Sequence, residues 1–111
     1  EYEMYEVSKS DWKLFRERVP ELQERYMERL VEKYIKFLSS DKAASDKFWD
    51  LEKKIRKDKK KPGVILELRK STVPWDLAAL INDKAITFDD LSEFSSDLQD
   101  AVRRLVEGRN N

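Results

Sequence analysis

The densest collection of reactive side chains is a basic run. Lys53, Lys54, Arg56, Lys57, Lys59, Lys60 and Lys61 put seven positive charges into nine residues, interrupted by Ile55 and Asp58. A patch of this kind binds phosphate backbones by releasing their counterions, with steep salt dependence. Trp49 lies one turn upstream and could stack on a base. Against this stand the preference for lysine over arginine and a sequence pI of about 6.7, since dedicated nucleic-acid domains are usually basic overall. With Ile55 turned inward, Lys53, Lys57 and Lys60 fall on the opposite face, where a solvated helix would carry them anyway.

The second collection is acidic. Glu17, Glu21, Glu24, Glu28 and Glu32 lie within about 80° of one another on a helix turning 100° per residue. Such a stripe could offer oxygen ligands to a hard cation, but a di-iron bundle needs Glu-x-x-His pairs and the chain has no histidine. The plainer reading is a solvated face with helix pairs such as Glu21–Arg25 and Glu32–Lys36. The turn Ile86-Thr87-Phe88-Asp89-Asp90 echoes the end of an EF-hand loop. In that register Ala79 and Ile81 fall where calcium ligands belong and Lys84 replaces the loop glycine, so a capped helix start with a buried Ile86 is the better reading.

No other catalytic chemistry is marked. Without histidine or cysteine there is no imidazole base, no thiol nucleophile and no Cys/His metal cluster. Two glycines in 111 residues leave no glycine-rich phosphate loop. No pair of Glu, Asp, Lys or Tyr stands out as an acid–base couple. An enzyme is not expected, nor a cofactor or a metal.

The elements that would position these residues are helical. Trp12, Phe15, Val19, Leu22 and Tyr26 recur at spacings of 3, 4, 3 and 4, and Leu30, Tyr34, Phe37 and Leu38 prolong the face. Ser10 or Asp11 can cap the start. Pro20 should break the pattern into a short helix near 11–18 and a long one near 20–39. Ser45 reads as the cap of a helix near 46–60 that buries Phe48, Leu51 and Ile55 and ends at Pro62-Gly63. Residues 64–70 suit either a strand or a helix, and a strand would find no partner, so helix is expected. Ser71 or Thr72 opens a helix running to about Asn82. Thr87 and Asp90 form a capping box for a short helix, and Ser96 and Gln99 repeat the arrangement for a last one ending at Gly108. Trp12, Trp49 and Trp75 each sit near a helix start and read as core anchors rather than as the walls of a ligand pocket.

The expected fold is all-α: a compact, irregular bundle of five or six helices over residues 11–108, with an arm at 1–10 and a frayed tail at 109–111. A chain that is 40% hydrophobic and 11% aromatic has enough apolar surface for a core despite 41% charged residues. Charge is zero overall but uneven, with net −1 over 1–40, +5 over 41–70 and −4 over 71–111. No apolar run approaches the roughly 20 residues that span a bilayer, and the first residues show no secretory pattern. A cytoplasmic location without membrane association is expected.

The stretches Asp11–Leu30, Lys47–Ile55, Pro62-Gly63 and Ile86–Leu91 resemble a family of short, uncharacterised helical proteins of bacteria, some of which carry a multidrug-transporter label. The resemblance covers most of residues 11–106 and implies a bacterial source. It brings no activity and no functional residues, and a transporter would need membrane-crossing segments that this sequence lacks. The functional expectation is therefore a small interaction or structural module. Its partner would be another protein or a second copy, for which Tyr26, Met27, Tyr34 and Phe37 offer apolar surface on more than one side of the long helix. The alternative is nucleic-acid or polyanion binding through Lys53, Lys54, Arg56, Lys57, Lys60 and Lys61.

Overall fold

The computed structural model describes residues 5–110, with side chains to residue 108. The described residues form four α-helices and two short 3₁₀ turns: α1 (Lys9–Leu38), α2 (Ala44–Asp58), α3 (Val73–Asn82) and α4 (Ser96–Asn110), with 3₁₀ turns at Lys70–Thr72 and Phe88–Leu91. The all-helical class agrees with the sequence, and the helix count is lower than the five or six expected.

Three segments depart from the expected helices for identifiable reasons. Pro20 does not divide the first pattern, and α1 runs unbroken for 30 residues, about 45 Å. Proline leaves the Arg16 carbonyl without its intrahelical donor. Pro20 faces solvent, so water can serve that carbonyl. Phe15 and Val19 before it, and Leu22, Tyr26 and Leu30 after it, are buried on one continuous face. That packing outweighs a propensity cost of about 3 kcal/mol.

Residues 64–70 are the second case. Lys61–Val64 form a turn closed by Val64 N–H donating to the Lys61 carbonyl at 2.9 Å, and residues 65–69 are extended without a strand partner. Val64 and Leu66 rest against the core while Ile65 and Glu67 face out, which is the alternation of an extended chain. Extended backbone covers about 3.3 Å per residue against 1.5 Å for helix. This stretch must run from Gly63, beside Tyr26, to the start of α3. The third case is Phe88–Leu91, which stays a single 3₁₀ turn. Its capping box is present, with the Asp90 carboxylate accepting from the Thr87 N–H at 2.8 Å.

The caps also differ in position. Ser8, not Ser10 or Asp11, caps α1 by accepting from the Asp11 N–H at 3.1 Å. The expected arm therefore contributes to the fold: Val7 is buried in the core and Tyr5 packs against it. The earlier residues of that arm lie outside the described ones. Ala43 occupies the N-cap of α2 without a side-chain bond, so Ser45 lies inside the helix. Thr72 precedes α3, but its hydroxyl donates to the Asp76 carboxylate at 2.9 Å instead of capping a backbone N–H. Ser95, one residue before Ser96, accepts from the Leu98 N–H at 3.2 Å at the start of α4. Gly108 does not end α4, whose backbone stays helical to Asn110, so the expected tail is helix except for the last residue, which lies outside the described ones. Helix α3 ends instead on a left-handed residue, Lys84 (φ 61°), with Ala85 N–H to Leu80 O and Lys84 N–H to Ile81 O both at 2.9 Å. These are the two bonds of a Schellman motif.

The core lies at one end of the molecule. Phe15, Val73, Leu77, Leu80, Leu91, Leu98 and Val102 are fully enclosed where α3 and α4 pack together against the first two thirds of α1. Asp11, 3% exposed, ties the starts of α1 and α4: its carboxylate accepts from Ser95 N–H at 3.0 Å and Ser95 Oγ–H at 2.5 Å. The last turns of α1 and all of α2 project beyond this core. The molecule measures 53 × 31 × 22 Å with a radius of gyration of 16.7 Å, against about 13 Å for a compact chain of this length.

Candidate interaction surface

The projecting end is built on α1. On its inner side Tyr26 and Leu30 are buried and Tyr34 packs against the core cluster. About 100° around the same helix runs a second apolar row, Met27, Val31, Ile35 and Leu38. Each of these is exposed, Val31 by 50% and Ile35 by 59%. Of the four residues singled out from the sequence as spare apolar surface, Met27 alone is exposed. Tyr26 is buried, and Tyr34 and Phe37 are half-covered. Val31 and Ile35 carry most of the open surface, and their i, i+4, i+8 relation to Met27 was a signal available in the sequence.

Helix α2 has no buried residue at all. It touches α1 through its second half: Tyr34 Oη–H donates to the Asp58 carboxylate at 2.5 Å, and the Lys54 ammonium lies 4.7 Å from the centre of the Phe37 ring. Burial first, and donation to Asp58 second, push the Tyr34 phenol well above its ordinary pKa, so it remains a hydrogen-bond donor. Beyond α2 the chain is pinned back to α1. Gln23 donates to the Pro62 carbonyl at 2.9 Å, and Gly63 sits directly under the Tyr26 ring, where a Cβ would meet the ring at 2.4 Å.

Phe48 and Ile55, expected to face inward, are exposed by 64% and 44%, and Trp49 by 60%. Phe48 and Trp49 pack edge to face, 4.9 Å between centroids, and form an aromatic knob at the start of α2. The periodicity in α2 reported an amphipathic helix correctly; among the described residues its apolar side is only partly covered, with Leu51 half-buried and Phe48 and Ile55 exposed. The tryptophans divide accordingly. Trp12 is half-buried, stacked on Phe15 at 6.1 Å, whereas Trp49 and Trp75 (50% exposed) are not the core anchors expected.

Charge is segregated across this end of the molecule. Three arginines of α1 are drawn to the segment 84–93: Arg18 pairs with Glu93 at 2.6 Å, Arg25 with Asp90 at 3.0 Å, and Arg29 donates to the Lys84 and Ala85 carbonyls. Arg25 is thereby engaged by Asp90, not by Glu21 as the helix spacing suggested. The glutamates of α1 stay on the outside. Glu24, Glu28 and Glu32 join Met27 and Val31 in lining one shallow groove. The full row from Glu17 to Glu32 is exposed and spans roughly 22 Å along the axis, so its carboxylates do not converge on a point.

The basic run lies along the second half of α2 and the turn that follows it. Lys53, Lys54, Arg56, Lys57, Lys59 and Lys60 are exposed and Lys61 is half-buried. Within the run Arg56 is bonded to Glu52, and Lys61 lies 3.5 Å from Asp58. Trp49, Lys53 and Arg56 follow at i, i+4 and i+7 and so share one helical face. Among the described residues no helix is long and apolar enough to cross a membrane. Comparison of the chain with protein-family models, with curated proteins and with solved structures returned no match.

Proposed function

We propose that this chain is a protein-interaction module whose α3–α4 core holds out a docking surface made of the end of α1 and of α2. Seven large apolar side chains are exposed on the second half of α1 (Met27, Val31, Ile35 and Leu38) and on α2 (Phe48, Trp49 and Ile55). Scattered apolar residues need no explanation, but a concentrated patch with polar edges marks an interaction site. Exposed aromatic residues are the usual anchors of such sites. The reading assigns no catalytic residue to this surface, whose Tyr34–Asp58, Arg56–Glu52 and Lys61–Asp58 pairs are contacts within α2 and between α2 and its neighbours.

The test compares the intact protein with two double variants, Val31→Asp/Ile35→Asp and Phe48→Ala/Trp49→Ala, as immobilised baits. A purified partner that binds the intact chain should lose affinity for both variants by at least tenfold, while helical content by circular dichroism stays unchanged. Equal binding by all three proteins would refute the assignment of the surface.

A second reading is supported by the exposure of Trp49 on the face that carries Lys53 and Arg56. A stacking ring beside cations is what a single-stranded nucleic acid needs. Anisotropy titrations with labelled mixed-sequence DNA and RNA at roughly 50 and 200 mM salt test it. Binding that weakens sharply with salt, and is lost in Lys53→Glu/Lys57→Glu/Lys60→Glu, would support this reading. Absence of binding at the lower salt would end it.

A further inference from the structure

We propose that the occupant of the docking surface is a second copy of this chain, with the α2 helix of each molecule seated in the α1 groove of the other. The inference rests on the interaction-module reading and names its partner. The two halves of the surface are complementary in both chemistry and size. The α1 groove is apolar at Met27 and Val31 and acidic at Glu24, Glu28 and Glu32, and Ile35 and Leu38 continue the exposed apolar row beyond it. Helix α2 is apolar at Phe48, Trp49 and Ile55 and basic at Lys53, Lys54, Arg56 and Lys57, and Lys59 and Lys60 follow it directly.

Intramolecular contacts have sharpened this opposition. The bonds from Arg18, Arg25 and Arg29 toward residues 84–93 draw positive charge away from the groove side of α1. Met27 to Leu38 extends about 17 Å along α1, and Phe48 to Arg56 about 12 Å along α2, so one helix can lie along the other for most of its length.

A two-fold axis makes both contacts at once, because whatever α2 of the first molecule does to α1 of the second is repeated in the reverse sense. Closing both contacts would cover seven exposed apolar side chains on each chain, the kind of surface on which a specific interface of roughly 1,600 Å² is built. A crossed, closed pair also leaves neither apolar set open for further addition, so the assembly stops at two.

Light scattering after size exclusion tests this directly. The intact protein is expected at twice the 13.3 kDa chain mass and should dissociate as salt is raised, since surface charge pairs are screened. Glu28→Lys/Glu32→Lys and Lys53→Glu/Lys57→Glu alter only exposed positions, and each variant alone should be monomeric with unchanged helical content. Mixed in equal amounts they should form a heterodimer. The first presents two basic surfaces and the second two acidic ones, so both crossed contacts become complementary again.

A monomeric intact protein at about 100 μM, far above the range of a specific dimer of this size, would overturn the proposal. So would a dimer indifferent to both variants, or a failure of the mixture to associate. A monomer that still binds a purified protein through Val31, Ile35, Phe48 and Trp49 would show that the surface is right and the occupant wrong. Loss of both results would refute the surface itself.

Discussion

Replacing Asp11 tests whether one buried carboxylate holds the two halves of the core together. Asp11 is 3% exposed and accepts two hydrogen bonds from Ser95, through its N–H at 3.0 Å and its Oγ–H at 2.5 Å. These bonds join residues 84 positions apart. Asp11→Ala deletes both acceptors and leaves the Ser95 N–H without that partner at the start of α4. Hydrogen bonds to a charged group are each worth about 1.5–3 kcal/mol, and part of this is recovered because the carboxylate no longer has to be desolvated. A net loss of about 3 kcal/mol is expected, on the order of 10–15 °C in Tm for a chain of this length. Asp11→Asn keeps one acceptor for the Ser95 N–H and should cost about 1 kcal/mol.

The assay is urea denaturation followed by circular dichroism, with an unchanged m-value showing that the same surface is exposed on unfolding. A cycle with Ser95→Ala isolates the pair, and a coupling of about 1–2 kcal/mol is expected for residues in direct contact. The reasoning is refuted if Asp11→Ala costs less than about 1 kcal/mol, or if the two substitutions are simply additive.

Gly63→Ala drives a Cβ to 2.4 Å from the buried Tyr26 ring; overpacking of this kind costs about 1–3 kcal/mol, and amide exchange should show residues 59–66 loosened from α1 before the core is affected. Lys84→Gly relieves a left-handed backbone at φ 61° and should stabilise the chain by about 0.5–1 kcal/mol in the same urea assay, while Lys84→Val should destabilise it. At Asp90 burial alone would raise the carboxyl, but hydrogen bonds from the Thr87 N–H and from Arg25 hold its pKa below the ordinary 3.8. A folded-state pKa depressed in this way contributes stability that is complete above 3.8 and fades as pH falls through the folded value. Asp90→Asn should therefore be less stable than the intact chain at neutral pH, with the gap closing below about pH 3.8; a gap constant down to pH 2 would show that the charge is not what matters.

The sequence by itself determined the helical class, because Trp12 to Leu30 keeps the 3.6-residue period and no glycine-rich turn intervenes. It also determined the local devices that involve only neighbours: the Thr87–Asp90 capping box, the helix opened near Val73-Pro74, and the burial of Ile86. These follow from bonds three or four residues apart, which a linear pattern records. The tertiary structure decided what depends on distant partners. Pro20 is carried inside α1 because a face buried on both sides of it outweighs a local penalty. Residues 65–69 form neither helix nor strand, and Val64 and Leu66 are instead held against the core. Asp11 is a buried tie and not a cap because Ser95 folds back on it. The same cause separates the two apolar faces that periodicity treats alike. Phe15 and Leu22 join the core cluster, whereas Ile35, Phe48 and Trp49 stay largely exposed among the described residues. Amphipathic spacing states only that a helix has an apolar side, and whether that side faces a core or is left for a partner is set by where the rest of the chain has gone.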